Sequence, residues 1–145
     1  MTLKRILVPL KGTADDGAVL GLIAPAASAV GGTLRALHVA PLPQNLVSES
    51  GRVVMYSDQD MDRLDAQWRG YLAGVTATLH DVAIECVVRF GDPAQEILAE
   101  VEAWGAELIA MPKPRTRRFA WPWPHGVVKA VSRKARIPVL LYQVG

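Results

Sequence analysis

The chain has 145 residues, half of them hydrophobic and 21% charged, which fits one globular domain over residues 1–145 and is too short for two ordinary ones. No apolar run approaches the roughly 20 residues that a membrane-spanning helix requires, so insertion into a membrane is excluded. The net charge of +2 is unevenly distributed, because residues 112–145 carry eight Lys or Arg and no Asp or Glu. That segment predicts an anionic ligand or partner, although its charge does not choose among nucleotide, nucleic acid, lipid and protein.

Two kinds of apolar pattern alternate along the chain. Short continuous runs of Val, Ile and Leu predict strands at 6–10, 34–39, 82–88, 108–111 and 139–144. Longer stretches with apolar residues three and four positions apart predict helices around residues 19–27, 64–75 and 97–104, and a fourth at about 125–135. A strand followed by such a helix usually crosses over to a parallel neighbour. The pattern therefore predicts an α/β fold with an open, five-stranded parallel sheet and helices on both of its faces.

Local signals agree with these boundaries. Thr13 followed by Asp16 is typical of a capping box at the first helix, and Asp92 followed by Pro93 is typical of the start of the third. Four acidic residues between Asp58 and Asp65 favour the solvated beginning of the second helix rather than a calcium loop, which would need a glycine and a terminal glutamate. The connection of residues 41–57 is long enough to be mobile or to form a partial lid.

The single cysteine and the N-terminus bear on the compartment. Cys86 excludes an internal disulfide and a zinc site made of cysteines from one chain, and its place in a predicted strand favours a small buried side chain. The basic N-terminus is followed by few apolar residues and by no cleavage site of small residues, so no secretory signal is recognised. The expected location is the cytoplasm.

Five short strings, in order along nearly the whole chain, together resemble the universal stress protein family. They are Ile6-Leu7-Val8-Pro9-Leu10 with Gly12-Thr13, Leu37-His38-Val39, Gly91-Asp92-Pro93 with Ile97, Ala106-Glu107-Leu108-Ile109-Ala110-Met111, and Ile137-Pro138-Val139-Leu140-Leu141. The resemblance implies a fold like that of the adenine-nucleotide alpha hydrolases, which is Rossmann-like. It also implies a non-catalytic binding or regulatory module of stress responses.

The resemblance breaks at the positions that hold nucleotide in this family. ATP-binding members carry a loop of Gly, two residues, Gly, nine residues and Gly-Ser or Gly-Thr after the fourth strand, whereas this chain keeps the spacing with Pro112, Arg115 and His125-Gly126. Proline has no N–H, and Arg115 and His125 add bulk where a backbone would approach phosphate. The turn after the first strand has Lys11 where ATP-binding members have an acidic residue. The family's usual mode of ATP binding is therefore not expected, and no cofactor is predicted.

An alternative keeps a ligand in the same cleft. ATP, AMP or another phosphorylated metabolite would then be held by cations of the loop from Lys113 to Arg118, with slow hydrolysis as an option. The candidate ligand-binding or anion-binding residues are Lys11, Gly12, Thr13, Val39, Lys113, Arg115, Arg117, Arg118, His125 and Gly126. Binding of nucleic acid or acidic membrane by the basic segment is a third hypothesis, which the resemblance does not support.

Two segments are candidates for protein contacts. Residues 112–124 combine cations with Trp121 and Trp123, which either bind a protein partner or fold back onto the domain. The final strand is apolar, and the resemblance implies a homodimer formed through it, with Val139 and Leu141 as contact residues.

The sequence contains no recognisable catalytic or metal motif. The segment from Gly12 to Val19 lacks the Lys and Ser or Thr of a P-loop, and there is no G-x-S-x-G string. His38, His80 and His125 are too far apart for a local metal motif. Neither a catalytic residue nor a metal ligand is predicted.

Overall fold

A computed structural model describes residues 3–42, 46–47, 53–55, 57–113 and 126–143. In chain order the elements are β1 (Arg5–Leu10), α1 (Asp16–Ala29), β2 (Thr33–Ala40), β3 (Leu46–Val47), β4 (Val53–Met55), α2 (Ser57–Thr76), β5 (Ala83–Phe90), α3 (Pro93–Trp104), β6 (Leu108–Pro112), α4 (Val127–Lys134) and β7 (Val139–Tyr142). Five strands form one sheet in the order β5-β2-β1-β6-β7, and all neighbours in it are parallel. The predicted fold class is confirmed.

The predicted connection of residues 41–57 contains a feature that the apolar pattern did not indicate. The short strands β3 and β4 pair antiparallel within it, as a small second sheet. Strands of two and three residues are too short to show a periodic pattern.

Helices cover both faces of the parallel sheet and create two cores. Val8 of β1 packs with α1 and α2 on one face, and its neighbour Leu7 packs with α3 and α4 on the other. Both side chains are completely buried. Strands that are buried on both faces have continuous rather than alternating apolar sequences, which is why the strands could be recognised as short apolar runs.

Of the two predicted helix caps, the one at α3 is confirmed and the one at α1 is wrong. Asp92 accepts a hydrogen bond from the N–H of Gln95 at 3.0 Å and is followed by Pro93, which confirms the predicted start of α3. The capping box of Thr13 and Asp16 is wrong, because Asp15 is the N-cap and makes no side-chain capping bond. The carboxylate of Asp16 instead turns back toward β1, where it binds the end of that strand.

An ion-pair network connects α3 to the sheet. Arg35 of β2 donates to Glu100 of α3 at 2.6 Å and to Glu85 of β5 at 3.0 Å. Arg89 of β5 lies 3.5 Å from the other carboxylate oxygen of Glu100, and Trp104 stacks on the Arg35 guanidinium at 4.5 Å. Glu100 is only 4% exposed, so its charge depends on these two arginines for compensation.

Two further expectations concern single elements. Cys86 of β5 is partly rather than completely buried, with its sulfur 3.8 Å from the hydroxyl oxygen of Thr76. The acidic residues after Asp58 do lie in the first turns of α2, where Asp60 pairs with Arg63 and Asp65 with Arg69.

Across the described ranges, no helix is both long and apolar enough to cross a membrane.

Candidate functional site

The topology singles out the carboxyl end of the sheet as the place for a site. From β1 the chain continues to β2 and β5 on one side, and it later returns to β6 and β7 on the other side of β1. In open parallel sheets, ligands bind in the crevice outside the carboxyl ends of the strands at such a reversal. The residues at this crevice are Lys11, Gly12 and Thr13 after β1, and Lys113 after β6.

The turn after β1 binds a carboxylate of its own chain. Asp16 is 1% exposed and accepts hydrogen bonds from the backbone N–H of Gly12 at 2.9 Å and of Lys11 at 3.3 Å. The Tyr71 hydroxyl of α2 donates to the same carboxylate at 2.6 Å. The backbone donors that an anionic ligand would use at this turn therefore already have a partner.

Burial and the Asp16 carboxylate also act on two tyrosines. Burial, and then the hydrogen bond to Asp16, raise the pKa of Tyr71 well above its usual value. Burial and the nearby Asp16 charge raise the pKa of Tyr142 in the same direction. Both hydroxyls thus stay protonated at neutral pH, and Tyr71 remains a donor to Asp16.

His38 lies at the end of β2 and is 5% exposed. Its Nδ1 is 3.2 Å from the carbonyl oxygen of Leu10, so Nδ1 carries the proton and donates it. Burial lowers the pKa of His38, although the bond to Leu10 and the charge of Asp16 oppose that effect. The imidazole is therefore neutral at pH 7 and belongs to the crevice wall.

Trp68 completes an aromatic cluster with His38 and Tyr71. The ring centroids of Trp68 and His38 are 3.8 Å apart with planes inclined by 34°, and those of Trp68 and Tyr71 are 5.5 Å apart at 86°. Gly12 packs against the indole so closely that a Cβ atom there would lie 2.9 Å from its Cη2. Gly12 also has a φ of +77°, so a glycine is required here for two reasons.

The sequence placed these residues in other roles. The pattern assigns Trp68 and Tyr71 to the apolar face of the second predicted helix, Asp16 to a capping box with Thr13, and His38 to the second predicted strand. The spacing of Trp68 and Tyr71 within one helical turn indicates only that both side chains lie on the same face of the helix. The packing of α2 on the sheet brings Trp68 and Tyr71 to the turn at Gly12, and a local sequence pattern does not predict that packing.

The remaining predicted ligand residues that the structure describes lie on different elements. Lys113 follows β6, its backbone N–H donates to the carbonyl of Tyr142 at 2.7 Å, and its side chain is exposed. Gly126 is the N-cap of α4 with a φ of +87°. The side chain of Val39 packs in the core under α3 and α4, away from the aromatic cluster. Thr13 has a buried side-chain oxygen without a hydrogen-bond partner among the described residues.

Six predicted site residues fall outside the described residues. They are Arg115, Arg117, Arg118, Trp121, Trp123 and His125. Among the residues that are described, no three His, Cys, Asp or Glu side chains come together in a way that could hold a metal ion.

β7 is an edge strand of the sheet, and among the described residues it pairs with β6 alone. The carbonyls of Pro138 and Tyr142 accept hydrogen bonds from Ile109 and Lys113 on the β6 side. Because backbone groups alternate in direction along a strand, those of the intervening Val139 and Leu141 point to the open edge. The Leu141 side chain is 43% exposed there.

Comparisons with known proteins agree with the fold. The model of the universal stress protein family matches residues 2–143 of the chain. No curated protein matches the sequence.

Solved structures of the same fold include members of that family. A universal stress family protein from Burkholderia pseudomallei is 21% identical, with a TM-score of 0.69 and coverage of 97% of this chain and 96% of that one. A universal stress protein from Archaeoglobus fulgidus in complex with dAMP is 19% identical, with a TM-score of 0.61 and coverage of 97% and 98%. A further universal stress protein, whose structure contains cAMP, is 14% identical, with a TM-score of 0.61 and coverage of 99% of this chain and 98% of that one.

Proposed function

This chain belongs to the universal stress protein family, and we propose that it is a homodimeric binding or regulatory module of stress responses that does not retain ATP in the family's usual way. It would act without catalysis of its own, in the cytoplasm. One observation carries this proposal. In the crevice at the carboxyl ends of β1, β2 and β6, groups of the chain itself bind the backbone N–H groups of Lys11, Gly12 and Lys113, and Trp68 covers His38.

The residues present do not fit an adenine nucleotide in that crevice. Trp68 packs on His38 and Gly12 beside the end of β1, and the Asp16 carboxylate binds the N–H groups of Lys11 and Gly12. A phosphate brought to this turn would compete with a buried carboxylate for the same donors and would be repelled by its charge. A base that stacked on this face of His38 would need the space of the indole.

The end of β6 supports the same conclusion. Pro112 has no N–H to offer, and the N–H of Lys113 is bonded to the carbonyl of Tyr142 at 2.7 Å. Phosphate is usually held at such strand ends by several backbone N–H groups. Within residues 108–113, this cradle is absent, so that ligand binding here would depend on side-chain cations.

The homodimer is proposed to form through β7. The outward backbone groups of Val139 and Leu141, with the exposed Leu141 side chain, form an edge that a second copy can pair with. The basic segment of residues 112–124 is the proposed contact for a protein partner, which its cations and tryptophans favour.

A second candidate function is binding of a nucleotide or another phosphorylated metabolite by side chains. Two relatives of the same fold were solved with dAMP and with cAMP, which favours it. Lys11 and Lys113 follow the two strands at the reversal, so two cations flank the crevice. In this candidate, Lys113 and the arginines that follow it replace the missing backbone cradle.

Native mass spectrometry of freshly purified protein, with and without added ATP, separates the two candidates. A dimer without ligand mass, unchanged by ATP, is the result that the proposal requires. A dimer that retains about one nucleotide-sized mass per subunit contradicts it and supports the second candidate, for which Arg115→Ala should then abolish the retention.

A further inference from the structure

The indole of Trp68 lies in a space whose walls come from three parts of the chain. Gly12 in the turn after β1 contacts its edge, His38 of β2 stacks on its face, and Tyr71 meets it nearly at a right angle. These three residues define what we call the indole slot. A flat ring fits there because Gly12 has no Cβ, which would approach the indole to 2.9 Å.

The slot is at the rim of the sheet rather than in the middle of a core. Leu72, the next core residue of α2, is completely buried, whereas Trp68 is only partly buried. The indole packs against the apolar core under α1 and α2, and an imidazole, a phenol and a carboxylate-bound turn also lie next to it. This mixture of a flat apolar space with polar groups at its edge is typical of a ligand site.

We infer that Trp68 closes a ring-binding slot from within, and that a planar nitrogen heterocycle enters the slot when the indole is removed. The inference rests on the proposed function, since both concern the same end of the sheet. Trp68 is the side chain that would keep the base of a nucleotide out of this crevice. The face of His38 supplies the stacking surface for the incoming ring. Tyr71 stays in place through its bond to Asp16.

The test uses the Trp68→Ala variant of the full chain, with adenosine as the probe because it has no phosphate and reports on the ring alone. Isothermal titration calorimetry should show affinity for adenosine at least about tenfold higher in Trp68→Ala than in the wild type, since one stacked base contributes that much or more. Free indole should compete with adenosine in the variant, because it replaces the side chain that was removed.

Trp104→Ala is the matched control. Trp104 lies on α3 against Arg35, on the opposite face of the sheet, so its removal leaves the indole slot closed. The inference is overturned if folded Trp68→Ala gains no affinity for adenosine, if the wild type binds adenosine equally well, or if Trp104→Ala gains as much. Circular dichroism establishes that each variant is folded.

Should Trp68→Ala fail to fold, Trp68→Leu provides the same test. Leucine keeps apolar contact with Tyr71 but is too short to cover His38 and reach Gly12. The inference and the proposed function fail separately. Retention of ATP by the wild type contradicts the proposed function, whereas a folded Trp68 variant that ignores adenosine contradicts only the indole slot.

Discussion

His38 shows how the surroundings of one residue can make stability depend on pH. Its ring is buried between the carbonyl of Leu10 and the indole of Trp68, and burial lowers its pKa from the ordinary value of 6.5. Of the charged and titratable groups at this end of the sheet, Asp16 acts on His38 in the opposite direction, and the Tyr71 hydroxyl stays neutral. The folded protein thus binds a proton at His38 less readily than the unfolded chain does.

We predict that stability falls as the pH is lowered through about 6.5 toward the folded pKa of His38. In that window the unfolded state binds more protons, so the free energy of unfolding decreases by at most about 1.4 kcal/mol per pH unit from this group. Below the folded pKa, the contribution of His38 levels off. Urea unfolding between pH 5 and 8 measures the slope.

His38→Gln should flatten that slope while its amide can still donate to the carbonyl of Leu10. The exposed His80 supplies the control, since His80→Gln should leave the slope unchanged. A slope that persists in His38→Gln would assign the pH dependence to other groups.

At the scale of elements, α2 and α3 attach to the sheet by different means. α2 contributes an apolar and aromatic face that ends in the contacts of Trp68 and Tyr71, whereas α3 adds a nearly buried ion-pair network to its apolar core. Glu100 is the centre of that network, because both Arg35 and Arg89 approach its carboxylate. Burial lowers the pKa of the Arg35 guanidinium, but the hydrogen bonds to Glu100 and Glu85 and the charges of these two carboxylates together outweigh it, so that the pKa is raised.

Glu100→Gln should therefore destabilise the protein by about 2 kcal/mol, because it removes the buried charge that Arg35 and Arg89 share and leaves them with Glu85 and Glu96 only. The exposed pair of Asp65 and Arg69 on α2 is the comparison, and Asp65→Asn should cost less than about 0.5 kcal/mol. Chemical denaturation measures both. Equal effects would mean that the network under α3 contributes no more than a surface ion pair.

At the scale of the whole molecule, the decisive feature is the open edge of β7. The sheet ends there with outward backbone groups at Val139 and Leu141, while α1 to α4 cover its two faces. An apolar edge that no other described strand covers favours pairing with a second copy. The strand order therefore supports the proposal of a homodimer formed through β7.

Leu141→Pro should convert the proposed dimer to a monomer, because it removes the outward N–H without removing a hydrogen bond to β6. Sedimentation velocity gives the oligomeric state, and thermal unfolding shows whether the fold survives. Leu22→Ala is the control, since Leu22 is a comparably exposed leucine on α1, 55% exposed against 43% for Leu141. A dimer that persists in folded Leu141→Pro would place the interface elsewhere.

The sequence by itself determined the fold class, the five parallel strands and the start of α3, because these depend on apolar runs and local caps that a linear pattern displays. The resemblance to the family also predicts that Pro112 and Arg115 stand where nucleotide-binding members have glycines, and this stays a prediction. The tertiary structure alone decided that Asp16 binds the turn after β1 and that Trp68 lies on His38 and Gly12. The contact of Asp16 spans only four or five positions, but it needs a turn geometry that the residue pattern does not display. The contacts of Trp68 join residues that are distant in the sequence, and they exist only because α2 packs beside β1 and β2. A helical pattern predicts which face of α2 is buried, but not which groups that face meets.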